Sequence, residues 1–238
     1  MKIFLTLVVA LAGAWTCAQA DERAPFPLDS IDQRVQTCTP CHGKEGRSTG
    51  DAYYPRIAGK PAGYLYNQLL NFRDGRRHFP VMRYLTERQQ EPYLQEIAAY
   101  FAAQHPPFAA PKTPQLPAAA LERGRMLVTD GDPAREIPAC SACHGARLMG
   151  IKPAVPGLLG LPYDYVVAQL GAWRNGTRRA HAPDCMAQIV KRLSDQDLAA
   201  TAAWVATQTP PADLTPDATF ERQPPIACGS IQSAERAE

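Results

Sequence analysis

The sequence carries little net charge and no long apolar run. Its 25 Lys and Arg are almost matched by 23 Asp and Glu, for a formal charge of +2. That leaves no basic excess of the kind that follows a phosphate backbone, so nucleic acid is not expected as a partner. The longest apolar stretch, Ile3 to Gly13, is too short to cross a bilayer. No convincing strand pattern occurs anywhere, which points to an all-α class. Methionine is scarce at five residues, so a Met that recurs in a repeated context carries weight.

Against this background stand two copies of C-x-x-C-H, at Cys38-Thr39-Pro40-Cys41-His42 and Cys140-Ser141-Ala142-Cys143-His144. The pattern is the attachment signature of c-type haem. Each thiol adds to one vinyl group, and the following His supplies an axial nitrogen to iron. A zinc ribbon would need both C-x-x-C halves around one metal, with no reason for a His after each. A thioredoxin-like pair would follow a strand, and no strand pattern precedes either motif. Two covalent haem c groups are therefore expected, on Cys38, Cys41, Cys140 and Cys143, with His42 and His144 as ligands.

The compartment agrees with that chemistry. Lys2 precedes the Ile3–Gly13 stretch, and Ala18-Gln19-Ala20 offers a cleavage site before Asp21. This reads as a cleaved signal peptide over 1–20 that exports the chain to the periplasm. The residues before Cys17 depart from a lipobox, so a lipid anchor is not expected.

The chain also repeats itself. His42 and His144 are 102 positions apart, Gly59 and Gly160 are 101 apart, and Tyr100 and Trp204 are 104 apart. Pro61 and Pro162 each open a helix, with Leu65, Leu69 and Phe72 matched by Val166, Leu170 and Trp173 at i, i+4, i+7. Gly75 and Gly176 are the helix stops. A second helix closes each repeat, on Leu94, Ile97 and Phe101 and on Leu198, Ala202 and Val205. Ser194 with Asp197 resembles a capping box, as does Thr86 with Gln89, although Pro92 would delay or kink that helix. The resulting division is 21–105 and 118–211 for two haem domains, a Pro-rich extended linker over 106–117, and a tail over 212–238.

Between the two helices of each repeat lies a stretch read as irregular, with Met82 and Met186 at corresponding places, 104 apart. A thioether favours reduced iron, and His/Met ligation raises the haem potential. Met82 and Met186 are the expected second axial ligands. The alternatives are Met as core filler and ligation by His78 or His181, which would give bis-His haems. His105, in the linker, is expected to be solvated.

Taken together, the C-x-x-C-H pairs, Pro55-Arg56-Ile57-Ala58-Gly59, Leu158-Leu159-Gly160, the run Tyr64 to Arg77 and Asp184-Cys185-Met186-Ala187 resemble the diheme cytochrome c4 family, built of tandem class I cytochrome c domains. The resemblance covers nearly all of the chain after residue 20. It implies that Pro55 and Pro156 offer carbonyls to the His42 and His144 rings. It makes Arg73, Arg76 and Arg174 candidates for pairing with haem propionates or for surface charge at a solvated helix end, and it implies two domains about a pseudo-two-fold axis. Cys185 and Cys228 remain once the haem cysteines and Cys17 are set aside, and an even pair in an oxidising compartment suggests a disulfide. The alternative is Cys185 as an iron ligand or redox thiol, a case that diheme thiosulfate dehydrogenases resemble. The Thr129 to Pro138 loop has no functional reading.

The function implied is one-electron transfer without substrate chemistry. The donor would be a quinol-oxidising complex or a dehydrogenase, the acceptor a terminal oxidase or reductase, with membrane association only through such partners. The alternatives are the cytochrome subunit of a fixed dehydrogenase complex, and a diheme enzyme of the thiosulfate dehydrogenase or peroxidase type.

Overall fold

In the computed structural model the described residues are 29–51, 53–111 and 114–231. The expected signal peptide, its cleavage site and Cys17 lie outside them, as do 112–113 of the linker and 232–238 of the tail.

Ten helices carry the fold among the described residues: α1 (Ile31–Arg34), α2 (Thr39–His42), α3 (Ala62–Arg73), α4 (Pro80–Thr86), α5 (Glu91–Ala102), α6 (Ala118–Thr129), α7 (Ser141–His144), α8 (Tyr163–Arg174), α9 (Cys185–Arg192) and α10 (Asp195–Thr207). The periodic segments fold as read. Leu65 and Phe72 of α3 are buried, and so are Leu94, Ile97 and Phe101 of α5. In α10 Leu198, Ala202 and Val205 turn inward, and Ser194 closes a reciprocal capping box with Asp197.

Three readings need correction. Thr86 caps nothing: it ends α4, its Oγ1 donates to Met82 O at 2.8 Å, and α5 starts only at Glu91 with Pro92 inside its first turn. The segments around the two Met residues are helical, not irregular. Met82 sits in α4 behind Pro80, and Met186 sits in the first turn of α9, where Asp184 accepts from the Ala187 N–H. A strand pair does exist, Gly150–Ile151 (β1) antiparallel to Val155–Pro156 (β2). Two residues per strand are too few to leave an alternation in the sequence.

The first core gathers Val35, Leu65, Tyr66, Leu94, Ile97, Ala98 and Phe101. In the second repeat, one cluster holds Leu127, Ile137, Leu170, Val190, Leu193 and Leu198, and another holds Val128, Leu148, Met149, Leu159 and Val205. Helix α6 crosses α10 so closely that a Cβ on Gly124 would lie 2.1 Å from Ala200 O. Only glycine permits that approach.

The loop from Thr129 to Pro138 is part of this packing. Its Ile137 is buried, and its Asp132 and Arg135 join Arg123 and Asp197 in one ionic cluster. The linker is also held rather than free. Arg56 donates to the carbonyls of Pro106 and Pro107 at 2.5 and 3.2 Å and lies over the Phe108 ring, while Phe108 packs against the second repeat.

Candidate functional site

Each C-x-x-C-H begins as a short helical turn, and that turn fixes the geometry. Cys38, Cys41, Cys140 and Cys143 are all free and half-buried. Burial pushes the Cys140 thiol up to about 12 and raises Cys38 and Cys143 as well. Such thiols are poor redox nucleophiles. Gly43 and Gly145 follow the histidines at φ 74° and 84°, reversing the chain in the left-handed region that glycine adopts freely.

Both rings are then held by a proline carbonyl. His42 Nδ1 lies 2.9 Å from Pro55 O, and His144 Nδ1 lies 2.7 Å from Pro156 O, which β2 presents. A carbonyl can only accept, so Nδ1 carries the proton and Nε2 keeps the lone pair that can bind iron. Burial lowers the pKa of both histidines, which favours the neutral ring a ligand must be. The pairing expected for Pro55 and Pro156 is present in both repeats.

Helix α4 packs on α3 and α9 packs on α8. Met186 lies against the cluster around Leu127, Val190 and Leu198, and Met82 is half-buried. Met149, by contrast, is buried core and Met126 is exposed. Cys185 is bonded to Cys228, which leaves no thiol beside Met186 for iron. His78 is exposed, with its backbone N–H donating to Thr177 O at 2.9 Å. His105 is exposed, as expected.

Arg73, Arg76 and Arg174 lie in ion pairs at the surface, the alternative to propionate pairing. Arg73 pairs with Asp74 and Glu91, Arg76 with Asp74, and Arg174 with Asp195 and the Leu193 carbonyl. Their charges are neutralised by neighbours at the protein surface. The residues that the sequence reading missed are Arg77 and Arg178. They face each other in an antiparallel bridge between the repeats, where His78 N–H donates to Thr177 O and Arg179 N–H donates to Arg76 O. Their side chains repeat this reciprocity. Arg77 donates to Gln68 at 3.0 Å and across the interface to Gln169 and the Tyr165 hydroxyl, each at 2.8 Å. Arg178 donates to Gln169 at 2.8 Å and across to Gln68 at 3.1 Å and the Tyr64 hydroxyl at 3.4 Å. The contacts are thus reciprocal between the two repeats, each Arg reaching the Gln of both.

Neither guanidinium has a carboxylate partner among the described residues. Arg178 is 6 % exposed, and burial together with the charge of Arg77 lowers its pKa. It lies 3.7 Å from the Trp173 ring centroid, and the buried Trp173 Nε1 has no acceptor among the described residues. A buried cation is stabilised by an anion beside it, and an orphaned indole N–H calls for an acceptor. A haem propionate has the right charge and lone pairs, so these residues fit the group that the thiols and histidines imply. Zinc does not fit, since no cluster of three His, Cys, Asp or Glu exists among the described residues.

The comparisons with known proteins agree with this geometry. The family described as Cytochrome c matches residues 121–209, within the second repeat. The chain is 34% identical over 200 residues to the thiosulfate dehydrogenase electron acceptor of Stutzerimonas stutzeri, covering 84% of this chain and 91% of the relative. It is 33% identical over 174 residues to cytochrome c4 of Pseudomonas aeruginosa, covering 72% of this chain and 84% of that one. The solved structure of reduced recombinant cytochrome c4 from Pseudomonas stutzeri superposes with a TM-score of 0.65 at 26% identity, covering 74% of this chain and 96% of that chain.

Proposed function

The chain belongs to the cytochrome c4 family, and from that membership we propose that it is a periplasmic carrier with one covalent haem c in each repeat, ligated by His42 and Met82 and by His144 and Met186. Electron transfer by a c-type cytochrome follows from the relatives; the haem count, the ligands, the division into 21–105 and 118–211, and the export to the periplasm are the added reading. The observation that carries it is the twofold occurrence of one arrangement: free paired thiols, a neutral His held by a proline carbonyl, and a Met on a short helix packed on the preceding long helix.

The group supplies one-electron chemistry when bound; the chain's residues hold and tune it. Pro55 and Pro156 fix the histidine rings. Arg77, Arg178 and the Trp173 N–H would hold the propionates and neutralise their charge at the junction of the repeats. Met82 and Met186 would each supply a thioether to iron, which would keep oxygen and peroxide off and favour the reduced state. The Cys185–Cys228 bond supports a carrier over an enzyme, because it occupies the thiol that a cysteine-ligated catalytic haem would need.

For the donor, the reading we favour is a thiosulfate dehydrogenase. The support is a relative printed as its electron acceptor, matched along 91% of that relative's length. The test is a stopped-flow experiment with the oxidised holoprotein. Thiosulfate plus a thiosulfate dehydrogenase should reduce both haems, and thiosulfate alone should reduce neither. Reduction by thiosulfate without the dehydrogenase would make the chain an enzyme, and no reduction with it would remove this donor.

A further inference from the structure

Lys60 breaks the symmetry of the duplicated chain. Its counterpart between Gly160 and Pro162 is Leu161. Lys60 belongs to the first repeat, yet it is only 7 % exposed and its Nζ donates across the interface to Gly157 O at 2.5 Å. Gly157 directly follows Pro156, whose carbonyl holds the His144 ring. An ammonium has three donors, and no carboxylate pairs with this one among the described residues. The charge that acts on it is that of another cation, Arg56. Burying an unneutralised ammonium is costly, and leucine at the matching position of the other repeat shows that the fold does not demand it.

The charge also acts on the second site. Burial and the neighbouring Arg56 push Lys60 down to about 7, so it is charged at pH 6. Its bond to Gly157 O places it one residue from the carbonyl that holds the His144 ring. Arg77 has an equivalent in Arg178, whereas Lys60 has none.

We propose that Lys60 is a positioning residue that raises the reduction potential of the haem held by His144 relative to the haem held by His42, and so sets the direction of electron flow within the chain. The inference rests on the two-haem reading above. Adding an electron at iron is favoured by a nearby positive charge. Donation to Gly157 O acts in the same direction, by drawing electron density from the peptide segment that supports His144. The internal step is balanced as it stands: one electron leaves the haem at His42 and one is gained at His144, with no proton or co-reactant. A unit charge buried beside a redox centre, at an effective permittivity near 20, shifts a one-electron equilibrium by roughly tenfold. Tenfold corresponds to 59 mV.

The experiment is a spectroelectrochemical titration at pH 6 of the wild-type, Lys60→Gln and Lys60→Arg holoproteins. Haem content per chain is measured on the same samples, and the waves are assigned with Met82→His, which lowers the first site alone. Gln keeps a donor for Gly157 O and removes the charge. We expect it to lower the His144 wave by about tenfold in relative equilibrium, with the other wave unmoved, while Arg leaves both in place. Lys60→Met serves as a second neutral variant if Gln is not accommodated. Unchanged waves in the neutral variants, or a parallel shift of both, would overturn the role of Lys60. One haem per chain would instead overturn the two-haem reading.

Discussion

Replacing both Cys185 and Cys228 by Ala tests how the C-terminal tail serves the second site. The bridge spans 43 positions, and in the chain-entropy description a closed loop of that size removes about 4 kcal/mol of unfolded-state freedom. The folded state loses less. Asp184 still accepts from the Ala187 and Ala180 N–H groups, so the start of α9 is held without the disulfide. The contacts that depend on the bridge are those of the tail, Gly229 N–H to Pro183 O at 2.9 Å and Asn67 Nδ2 to Ser230 O at 3.0 Å. Removing both thiols also prevents a stray sulfur from replacing Met186. The expected result is a loss of about 2–4 kcal/mol in guanidinium unfolding of the holoprotein. Imidazole should then displace the second site's Met at lower concentration, with the first site unchanged. An unaltered midpoint together with equal imidazole sensitivity at both sites would refute the reasoning.

Other substitutions test the packing and the charges. Gly124→Ala places a methyl against the Ala200 backbone, which cannot move aside, and should cost about 1–3 kcal/mol or more. Gly171→Ala, on a helix where nothing lies within 4 Å, should stabilise by about 1 kcal/mol in the same guanidinium assay. Asp197→Asn should cost about 3 kcal/mol at pH 7. Burial alone would raise this carboxyl, but the Ser194 N–H and then Arg135 and Arg123 outweigh it and hold the pKa well below the ordinary range. Its contribution is therefore fully present above pH ~4 and is lost as the pH falls towards the folded-state value. Melts of wild type and Asp197→Asn should converge below pH 4, and a gap that stays constant would contradict the assignment.

Much of this was legible in the chain because the relevant signals are local. The 3.6-residue periodicity of α3, α5, α8 and α10 and the Ser194–Asp197 cap depend only on near neighbours. The reach from His42 to Pro55 and from His144 to Pro156 came instead from the family resemblance. The short helices α4 and α9 escaped notice because one begins with proline and the other is seeded by a single Asp184 cap. The sequence left Arg73, Arg76 and Arg174 open between propionate pairing and surface charge, and the deciding contacts are tertiary. Arg73 and Arg174 occupy matching positions, but Glu91 and Asp195 come back through space to neutralise them. Arg77 and Arg178 matter because the two repeats bring them face to face, which no spacing within one repeat reveals. Lys60 and Gly124 are likewise defined by what lies across from them.

The most direct test of the account is the near-infrared absorption of the oxidised holoprotein, scaled to its haem content, where a Met sulfur bound to ferric iron gives a weak band. Two equivalents per chain are predicted, one from Met82 and one from Met186. One equivalent or none would contradict the His/Met reading and leave a site open, or held by a different ligand.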